Sequence, residues 1–291
     1  MAIADILSKD TTPLQEAKAL REHINQALRA KPPSGPDEAL MYRMSKFWFN
    51  PTLCNTERIP DRPCLFIGNH ALFGLDGLVI LPILLREHGR FLRPMGDKFL
   101  FSNPRVATTL LRRGATMGHP DVARALMQHE HDILVFPGGA HEAVKPSTAR
   151  YELQWKERLG FVRLAAEYGY TIVPFGLVGP DEFYEYLLDS KAVTKYLQRL
   201  GLWSDGMRAD AVPPLLRGSF GSLLPRPQAC YLSFGPPLAL PAPSKRPASK
   251  QKLLHWRDTV AGRIETEIAA MLRLREQQRG DQSLLRRLAT L

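Results

Sequence analysis

Apolar positions along this chain form short runs that Gly, Pro and polar residues separate. Five of these runs predict strands: "PCLFIG", "FLRPMG", "ILVFPGG", "TIVPFGLVG" and "ACYLSFGPPL". Four further segments predict helices: "DGLVILPILLREHG", "PRVATTLLRRG", "PDVARALMQHEHD" and "ERLGFVRLAAEYG". Strands that alternate with helices predict an α/β fold, with a mostly parallel central sheet and helices on both of its faces.

Both ends of the chain differ from this alternating middle. Near the N-terminus, apolar residues recur at helical spacing until "KPPSGPDE" interrupts the pattern: Leu14, Ala17, Leu20, Ile24 and Leu28. From "SKRPASK" onward the chain predicts a basic helix, with eleven Lys or Arg against five Asp or Glu. We therefore divide the chain into an N-terminal helical extension (1–45), an α/β domain (46–243) and a basic C-terminal helical segment (244–291).

Charge adds a constraint on the partners. The 291 residues carry a formal net charge of +10, which favours nucleic acid, an anionic membrane surface or a phosphorylated substrate. Basic and aromatic residues do not interleave, so we do not expect nucleic acid. The N-terminus "MAIADILSKD" lacks the apolar core of a signal peptide, and the longest clean apolar run has nine residues, Gly77–Leu85. A spanning helix needs roughly 20. We therefore expect peripheral membrane association.

The cysteines and histidines exclude two kinds of site. Three cysteines give no disulfide framework and indicate a reducing, cytoplasmic setting: Cys54, Cys64 and Cys230. His129 and His131 lie two residues apart near a predicted helix end, which places them on different faces. No cysteine or paired carboxylate joins them or His141, so we expect no metal.

The first candidate site is the polar gap in "FIGNHALFGLDGLVIL". His70 directly follows a predicted strand and Asp76 begins the next helix, and ligands bind beyond the carboxyl ends of strands in α/β sheets. A carboxylate that binds one imidazole nitrogen leaves the other free to take a proton. On spacing alone, the alternative is favoured, in which Asp76 caps the helix and His70 is a turn residue.

Two further segments follow later strands. In "DILVFPGGAHEA", Gly138 and Gly139 free the backbone to turn and to expose N–H groups that stabilise an oxyanion or bind phosphate. The last strand ends in the Gly-Pro-Pro turn of "LSFGPPLAL". Before it lies the proline-rich "AVPPLLRGSFGSLLPRP", whose large apolar residues either pack under the domain or face a lipid surface. The aromatic cluster Phe47–Phe49 is a second candidate for lipid contact.

Together, the order and approximate spacing of these motifs resemble the glycerolipid acyltransferase superfamily, from about Phe47 to Leu240. The chain looks most like the branch of diacylglycerol acyltransferases and phytyl ester synthases, on "FPGGAHEA" followed by "KERLGFVRLAAEYGYTIVPFGLVG". It departs from the lysophospholipid branch, whose first motif has four residues between His and Asp where this chain has five. Gly138 also replaces that branch's glutamate, and His141 replaces its arginine, the contact for an acceptor phosphate.

The resemblance implies roles for these residues. His70 is the general base that takes the proton from an acceptor hydroxyl, and Asp76 orients its imidazole. The backbone around Gly138 and Gly139 stabilises the oxyanion, and His141 lies beside it. The resemblance implies acyl-CoA or acyl-carrier protein as co-substrate, with no cofactor.

Three more residues have weaker assignments. Glu142 holds the Gly-Gly turn, and Arg158 and Arg163 meet the phosphates of the donor or are solvated helix charges. We expect a neutral glycerolipid or long-chain alcohol as acceptor. A lysophospholipid (1-acylglycerol-3-phosphate type) acyltransferase and a non-catalytic lipid-binding protein of the same fold stay open. A serine hydrolase is disfavoured, because no Gly-x-Ser-x-Gly elbow occurs.

Overall fold

The computed structural model describes residues 13–202, 212–241 and 247–278. Its helices are α1 (Pro13–Arg29), α2 (Pro36–Phe49), α3 (Gly77–His88), α4 (Pro104–Arg112), α5 (Pro120–Gln128), α6 (Gly139–Ala143), α7 (Gly160–Tyr168), α8 (Ser190–Arg199) and α9 (Lys250–Gln277). Its strands are β1 (Thr52–Cys54), β2 (Cys64–Gly68), β3 (Arg93–Gly96), β4 (Thr116–Met117), β5 (Ile133–Val135), β6 (Thr171–Val178), β7 (Glu185–Leu188), β8 (Leu215–Arg217) and β9 (Tyr231–Phe234).

Seven strands form one sheet in the order β1-β9-β6-β2-β5-β3-β4. Every pairing in it is parallel except that of β6 with β9. The five predicted strands all belong to this sheet, so the predicted fold class is confirmed. β7 and β8 pair separately as an antiparallel ribbon. β1 and β4 were not predicted, because Thr-Leu-Cys and Thr-Met do not form apolar runs like that of β5.

Apolar side chains pack on both faces of the sheet. Side chains alternate along β2, so Leu65 and Ile67 pack on one face and Phe66 on the other. The first face is covered by α5, α7 and α9, and the second by α2 and α3. The central strand is therefore buried throughout, as expected of a parallel sheet with two covered faces.

Both predicted terminal segments pack on the α/β domain. The predicted boundary after residue 45 lies within α2, which continues to Phe49, a side chain buried against Phe183 with ring centroids 4.4 Å apart. α9 packs along β6 so closely that a Cβ on Gly176 would lie 2.6 Å from the backbone nitrogen of Ile268. The predicted boundary after residue 243 and the chain beyond residue 278 lie outside the described residues.

The sheet brings the carboxyl ends of three neighbouring strands to one edge. β2 pairs in parallel with β5 on one side and with β6 on the other. The loop after β2 holds His70, the turn after β5 holds Gly138, and the chain after β6 reaches Asp181 within a few residues. This edge is therefore where the predicted site residues converge.

Candidate active site

His70 and Asp76 form a hydrogen-bonded pair at this edge. Nδ1 of His70 lies 2.6 Å from Oδ2 of Asp76. Asp76 is also the N-cap of α3, because its Oδ1 accepts the backbone N–H of Gly77 at 2.8 Å. Its Oδ2 accepts the N–H of Ala71 as well, at 2.8 Å. Both interpretations of the sequence therefore hold at once: the carboxylate caps the helix and fixes the imidazole.

The five residues between His and Asp form a compact turn. Leu72–Gly74 is a single 3-10 turn, in which Phe73 has φ +56° and Gly74 has φ +70°. A Cβ on Gly74 would lie 3.8 Å from Cε1 of His70, so the turn passes directly beside the imidazole. Phe73, a bulky residue in an unfavourable backbone region, keeps 59% of its surface exposed at the mouth of the site.

Two buried residues of opposite charge hold the main chain of His70. Oε1 of Glu142 accepts the His70 N–H at 2.7 Å, and Nζ of Lys145 donates to the His70 carbonyl at 2.5 Å. Glu142 is fully buried and Lys145 is 4% exposed. Lys145 also forms an ion pair with Oδ2 of Asp181 at 3.0 Å. The backbone that carries the imidazole is thus fixed from both sides.

The imidazole itself is fixed by a ring and an amide. Phe136 stacks on His70 with centroids 4.3 Å apart and planes 10° from parallel. The side chain of the preceding Asn69 exchanges two 2.9 Å hydrogen bonds with the backbone of Leu177, which ties the end of β2 to β6. Within the described residues, no hydrogen bond engages Nε2 of His70. The ring therefore presents one nitrogen to Asp76 and the other to the site.

The paired glycines leave room for charged side chains. A Cβ on Gly138 would lie 2.0 Å from Oε2 of Glu142, and a Cβ on Gly139 would lie 2.8 Å from Nη1 of Arg158. Gly139 also needs its φ of +52°. Oε2 of Glu142 accepts the N–H of Gln154 at 3.1 Å, and burial raises the pKa of the Glu142 carboxyl. These glycines are therefore required by packing.

The turn also distinguishes the two predicted oxyanion donors. The N–H of Gly139 donates to the Phe136 carbonyl at 2.9 Å within the turn. The N–H of Gly138 makes no such bond within the described chain. A role of this backbone in stabilising an oxyanion stays a prediction.

The predicted donor-phosphate arginines differ in position. Nη1 of Arg158 donates to the carbonyl of Pro137 at 2.7 Å, so this side chain braces the turn after β5. Arg163 is exposed on α7. His141 is half-buried on α6, which packs against the 3-10 turn at Leu72–Gly74. Contact of these residues with a substrate stays a prediction.

Sequence analysis missed Lys145 and Asp181. Lys145 lies three residues after Glu142, a spacing that puts both side chains on the same side of a helical turn, so a local signal existed. Asp181 comes three residues after β6, as His70 comes two residues after β2, so both lie just beyond a strand end. Its pairing with Lys145 was not visible in the sequence, because the sheet alone brings the two together.

A partly buried chain of polar contacts extends from this ion pair to α9. Asp181 accepts the N–H of Tyr151 at 2.7 Å, and the Tyr151 hydroxyl donates to Oε1 of Glu182 at 2.7 Å. Arg275 on α9 donates to the same Glu182 oxygen at 2.6 Å. Burial raises the pKa of Tyr151 well above its usual value, so the hydroxyl stays a donor. The C-terminal helix therefore supports the site through contacts that only the fold creates.

Across residues 13–202, 212–241 and 247–278, no group of three His, Cys, Asp or Glu side chains is arranged to hold a metal ion. His129 instead contacts the Ala125 carbonyl at 2.9 Å, at the end of α5.

An α/β sheet with His70 and Asp76 paired after its central strand agrees with the glycerolipid acyltransferase class. Residues 67–256 match the family model described as "Diacylglycerol acyltransferase", and the chain belongs to that family. The resemblance to this branch of the superfamily is therefore confirmed.

Individual relatives agree with this placement. The chain is 30% identical over 214 residues to phytyl ester synthase 2 of Arabidopsis thaliana, covering 67% of this chain and 30% of that protein. It is 28% identical over 253 residues to phytyl ester synthase 1 of the same plant, covering 75% and 34%. A chicken protein named "DGAT1/2-independent enzyme synthesizing storage lipids" is 26% identical over 157 residues, covering 54% and 47%. The chain thus spans about a third of the length of the two plant enzymes it matches.

Proposed function

We propose that this protein is an O-acyltransferase that moves a fatty acyl group from an acyl thioester to the hydroxyl of a lipid alcohol. The observation that carries the proposal is the orientation of His70, whose Nδ1 lies 2.6 Å from Asp76 while Nε2 has no partner within the described chain. Membership of the diacylglycerol acyltransferase family supports the reaction class. Acyl-CoA and acyl-carrier protein are both suitable donors.

In the proposed mechanism, Nε2 of His70 takes the proton from the acceptor hydroxyl as its oxygen attacks the thioester carbonyl. The carbonyl becomes a tetrahedral oxyanion, and the N–H of Gly138 is the candidate donor to it. The carbon–sulfur bond then breaks, and the imidazolium returns its proton to the leaving thiolate. Asp76 stabilises the imidazolium between these steps. The acceptor is itself the nucleophile, so no covalent acyl-enzyme is needed.

We propose a neutral acceptor, such as mono- or diacylglycerol or a long-chain alcohol. A phosphomonoester needs about two positive charges for compensation, usually from a bidentate arginine. The chain has His141 where the lysophospholipid branch has that arginine. One relative is named a phytyl ester synthase and another an enzyme synthesizing storage lipids. These names support a neutral acceptor. The alternative is a lysophospholipid acceptor, which would need an arginine from elsewhere.

We also propose that the protein binds a membrane surface. The described chain holds no helix that is both long and apolar enough to cross a bilayer. Leu40, Met44 and Phe47 are spaced along one side of α2, and each exposes more than half of its surface. Phe49 does not join them, because it is 5% exposed, so the prediction that the whole aromatic cluster contacts lipid is wrong for this residue.

A second exposed apolar segment lies beside α2. Phe220 and Leu223 are 78% and 75% exposed in the loop after β8. Nε1 of Trp48 on α2 donates to the carbonyl of Pro225 at 2.9 Å, which joins this loop to the helix. Two adjoining apolar segments, together with the positive net charge, suit peripheral binding to an anionic bilayer.

An activity assay with labelled acyl-CoA and a panel of alcohols, read by lipid mass spectrometry, tests the proposal. The panel includes a monoacylglycerol and its phosphorylated counterpart. We expect ester formation with neutral alcohols and its loss in His70→Ala. The matched control is His255→Ala, which removes an exposed histidine of α9. A larger kcat/KM for the phosphorylated acceptor would contradict the neutral acceptor, and no transfer to any alcohol would favour the lipid-binding alternative.

A further inference from the structure

An aromatic side chain lies exposed beside the candidate general base. Phe73 belongs to the 3-10 turn Leu72–Gly74, which follows His70, and 59% of its surface is exposed. The residues on either side of it in the turn are anchored, because Leu72 and Leu75 pack into the core on the face of the sheet that α2 and α3 cover. The protein therefore holds the backbone of Phe73 in place and leaves its ring facing outward.

The backbone of Phe73 is held in a conformation that disfavours a bulky residue. Its φ and ψ are +56° and +13°, in the left-handed region that glycine and asparagine adopt more readily. The N–H of Leu75 donates to the Leu72 carbonyl at 3.1 Å, which closes the turn around Phe73. Residues held in such strained conformations cluster at active sites and ligand contacts. The strain is kept here for a side chain that is mostly exposed, so packing within the protein accounts poorly for it.

The turn runs along one edge of the imidazole. A Cβ on Gly74 would lie 3.8 Å from Cε1 of His70, the ring carbon between Nδ1 and Nε2. Nδ1 is already engaged by Asp76, so Nε2 is the nitrogen that a substrate hydroxyl reaches. Because Cε1 is bonded to Nε2, a substrate at this nitrogen comes close to the turn that carries Phe73.

Further apolar side chains surround the same opening. Leu78, in the first turn of α3, is 38% exposed. Phe136, which stacks on the imidazole, is partly exposed as well. Between His70 and Asp76 the chain contains only Ala, Leu, Phe, Gly and Leu. A hydrocarbon chain that lies against these side chains is removed from water, which is favourable.

A second exposed phenylalanine shares this backbone geometry. Phe220 has φ +55° and ψ +31°, and it is followed, as Phe73 is, by a glycine with φ +70°. It lies in the loop after β8 that we propose to contact the membrane, and it is 78% exposed. Phe73 differs because it lies within the His–Asp motif itself. Its position beside the imidazole points to a substrate in the site, rather than the bilayer, as what the ring contacts.

We propose that Phe73 is a specificity-determining residue, whose ring contacts the hydrocarbon chain of a substrate bound at His70. This inference rests on the acyl transfer proposed above. The contact favours long-chain over short-chain substrates, and Leu78 extends it along the first turn of α3. The acyl chain of the donor and the alkyl chain of the acceptor alcohol share this chemistry.

Kinetics of Phe73→Asn with palmitoyl-CoA and butyryl-CoA test the proposal, below the concentrations at which the donors form micelles and without vesicles. Asparagine tolerates the left-handed conformation, so we expect a Tm at or above that of wild type. We expect kcat/KM to fall about tenfold for the long chain and to change little for the short one, since only the long chain loses buried contact. Long-chain and short-chain alcohols, compared with one fixed donor, distinguish the acceptor's chain from that of the donor.

Phe73→Leu is the matched variant, because it keeps an apolar side chain and the strained backbone. It should retain most of the preference for long chains. The control is Leu200→Asn, which removes a side chain at the end of α8 that is 69% exposed and should leave kcat/KM unchanged for every substrate.

Two outcomes would overturn the role of Phe73 alone. One is acyl transfer by Phe73→Asn with the chain-length preferences for donor and acceptor both unchanged. The other is a lower Tm for Phe73→Asn than for Phe73→Leu, because packing within the protein would then account for the strained phenylalanine. A wild-type protein that transfers no acyl group to any alcohol would instead contradict the proposed function, and this inference with it.

Discussion

The two edges of the sheet each bury a cation against a backbone carbonyl, with opposite surroundings. Lys145 donates to the carbonyl of His70 and has Asp181 3.0 Å away. Arg93 donates to the carbonyl of Ala30 and has no carboxylate partner in the described chain. A compensated charge fixes the group it touches, whereas an uncompensated buried charge raises the free energy of the folded state. The carboxyl edge therefore holds His70 through a compensated ion pair, whereas the amino edge buries a cation against a carbonyl and the Phe91 ring.

The largest effect is expected at the carboxyl edge, for Asp76→Asn. The amide replaces the carboxylate 2.6 Å from Nδ1, favours the wrong imidazole tautomer and no longer stabilises the imidazolium. We expect kcat to fall by about 10³–10⁴-fold. Steady-state kinetics with acyl-CoA measures this, and circular dichroism checks the fold, since the cap of α3 is weakened too. A fall in kcat of less than tenfold would show that the His70–Asp76 hydrogen bond has only a structural role.

Lys145→Met tests whether the compensated cation positions His70. The substitution leaves Asp181 buried without its partner, so we expect a stability loss of about 3–5 kcal/mol. We also expect kcat to fall by roughly tenfold or more, because small misplacement of a catalytic group is costly. Denaturant unfolding and kinetics on the same sample measure both effects.

The matched control is the double variant Lys145→Met/Asp181→Asn, which removes both charges. Stability should recover in part, while the low kcat stays, because the contact to the His70 carbonyl is still missing. Recovery of kcat together with stability would contradict a positioning role.

Arg93→Met sharpens the comparison from the other edge. With no carboxylate left unpaired, we expect a change in unfolding free energy within about 1 kcal/mol, in either direction. The informative quantity is the difference between the unfolding free energies of Arg93→Met and Lys145→Met, measured in the same assay. A loss of unfolding free energy as large as that of Lys145→Met would show that the charge of Arg93 is neutralised by its surroundings as fully as that of Lys145.

The smallest effect concerns pH and Glu142. Burial raises its pKa above the usual 4.5, so the folded state holds this proton more tightly than the unfolded state. The stabilisation is present below pH 4.5 and is lost as pH rises through the higher folded pKa. We therefore expect the stability of wild type relative to Glu142→Gln to fall as pH rises through this window. Unfolding curves at several pH values measure it, and the opposite slope would contradict the assignment.

Local pattern predicted the main strands, whereas the pairing of His70 with Asp76 rested on the order of the motifs, because spacing alone favoured a turn histidine beside a helix cap. The short runs of β2 and β6 are wholly apolar, and the pair lies in a single polar gap. The pairing of Lys145 with Asp181 depends on the sheet order and was not predictable. Arg93 was part of the predicted strand "FLRPMG", and no local feature shows that its partner is missing. Charge compensation is a property of the fold rather than of a motif.

Single-turnover acyl transfer by His70→Ala tests the central claim most directly. Removing a general base costs about 10²–10⁴-fold. We expect a loss of that size with an intact fold. His255→Ala should keep wild-type turnover. Near-wild-type transfer by well-folded His70→Ala would contradict the assignment of His70 as the base.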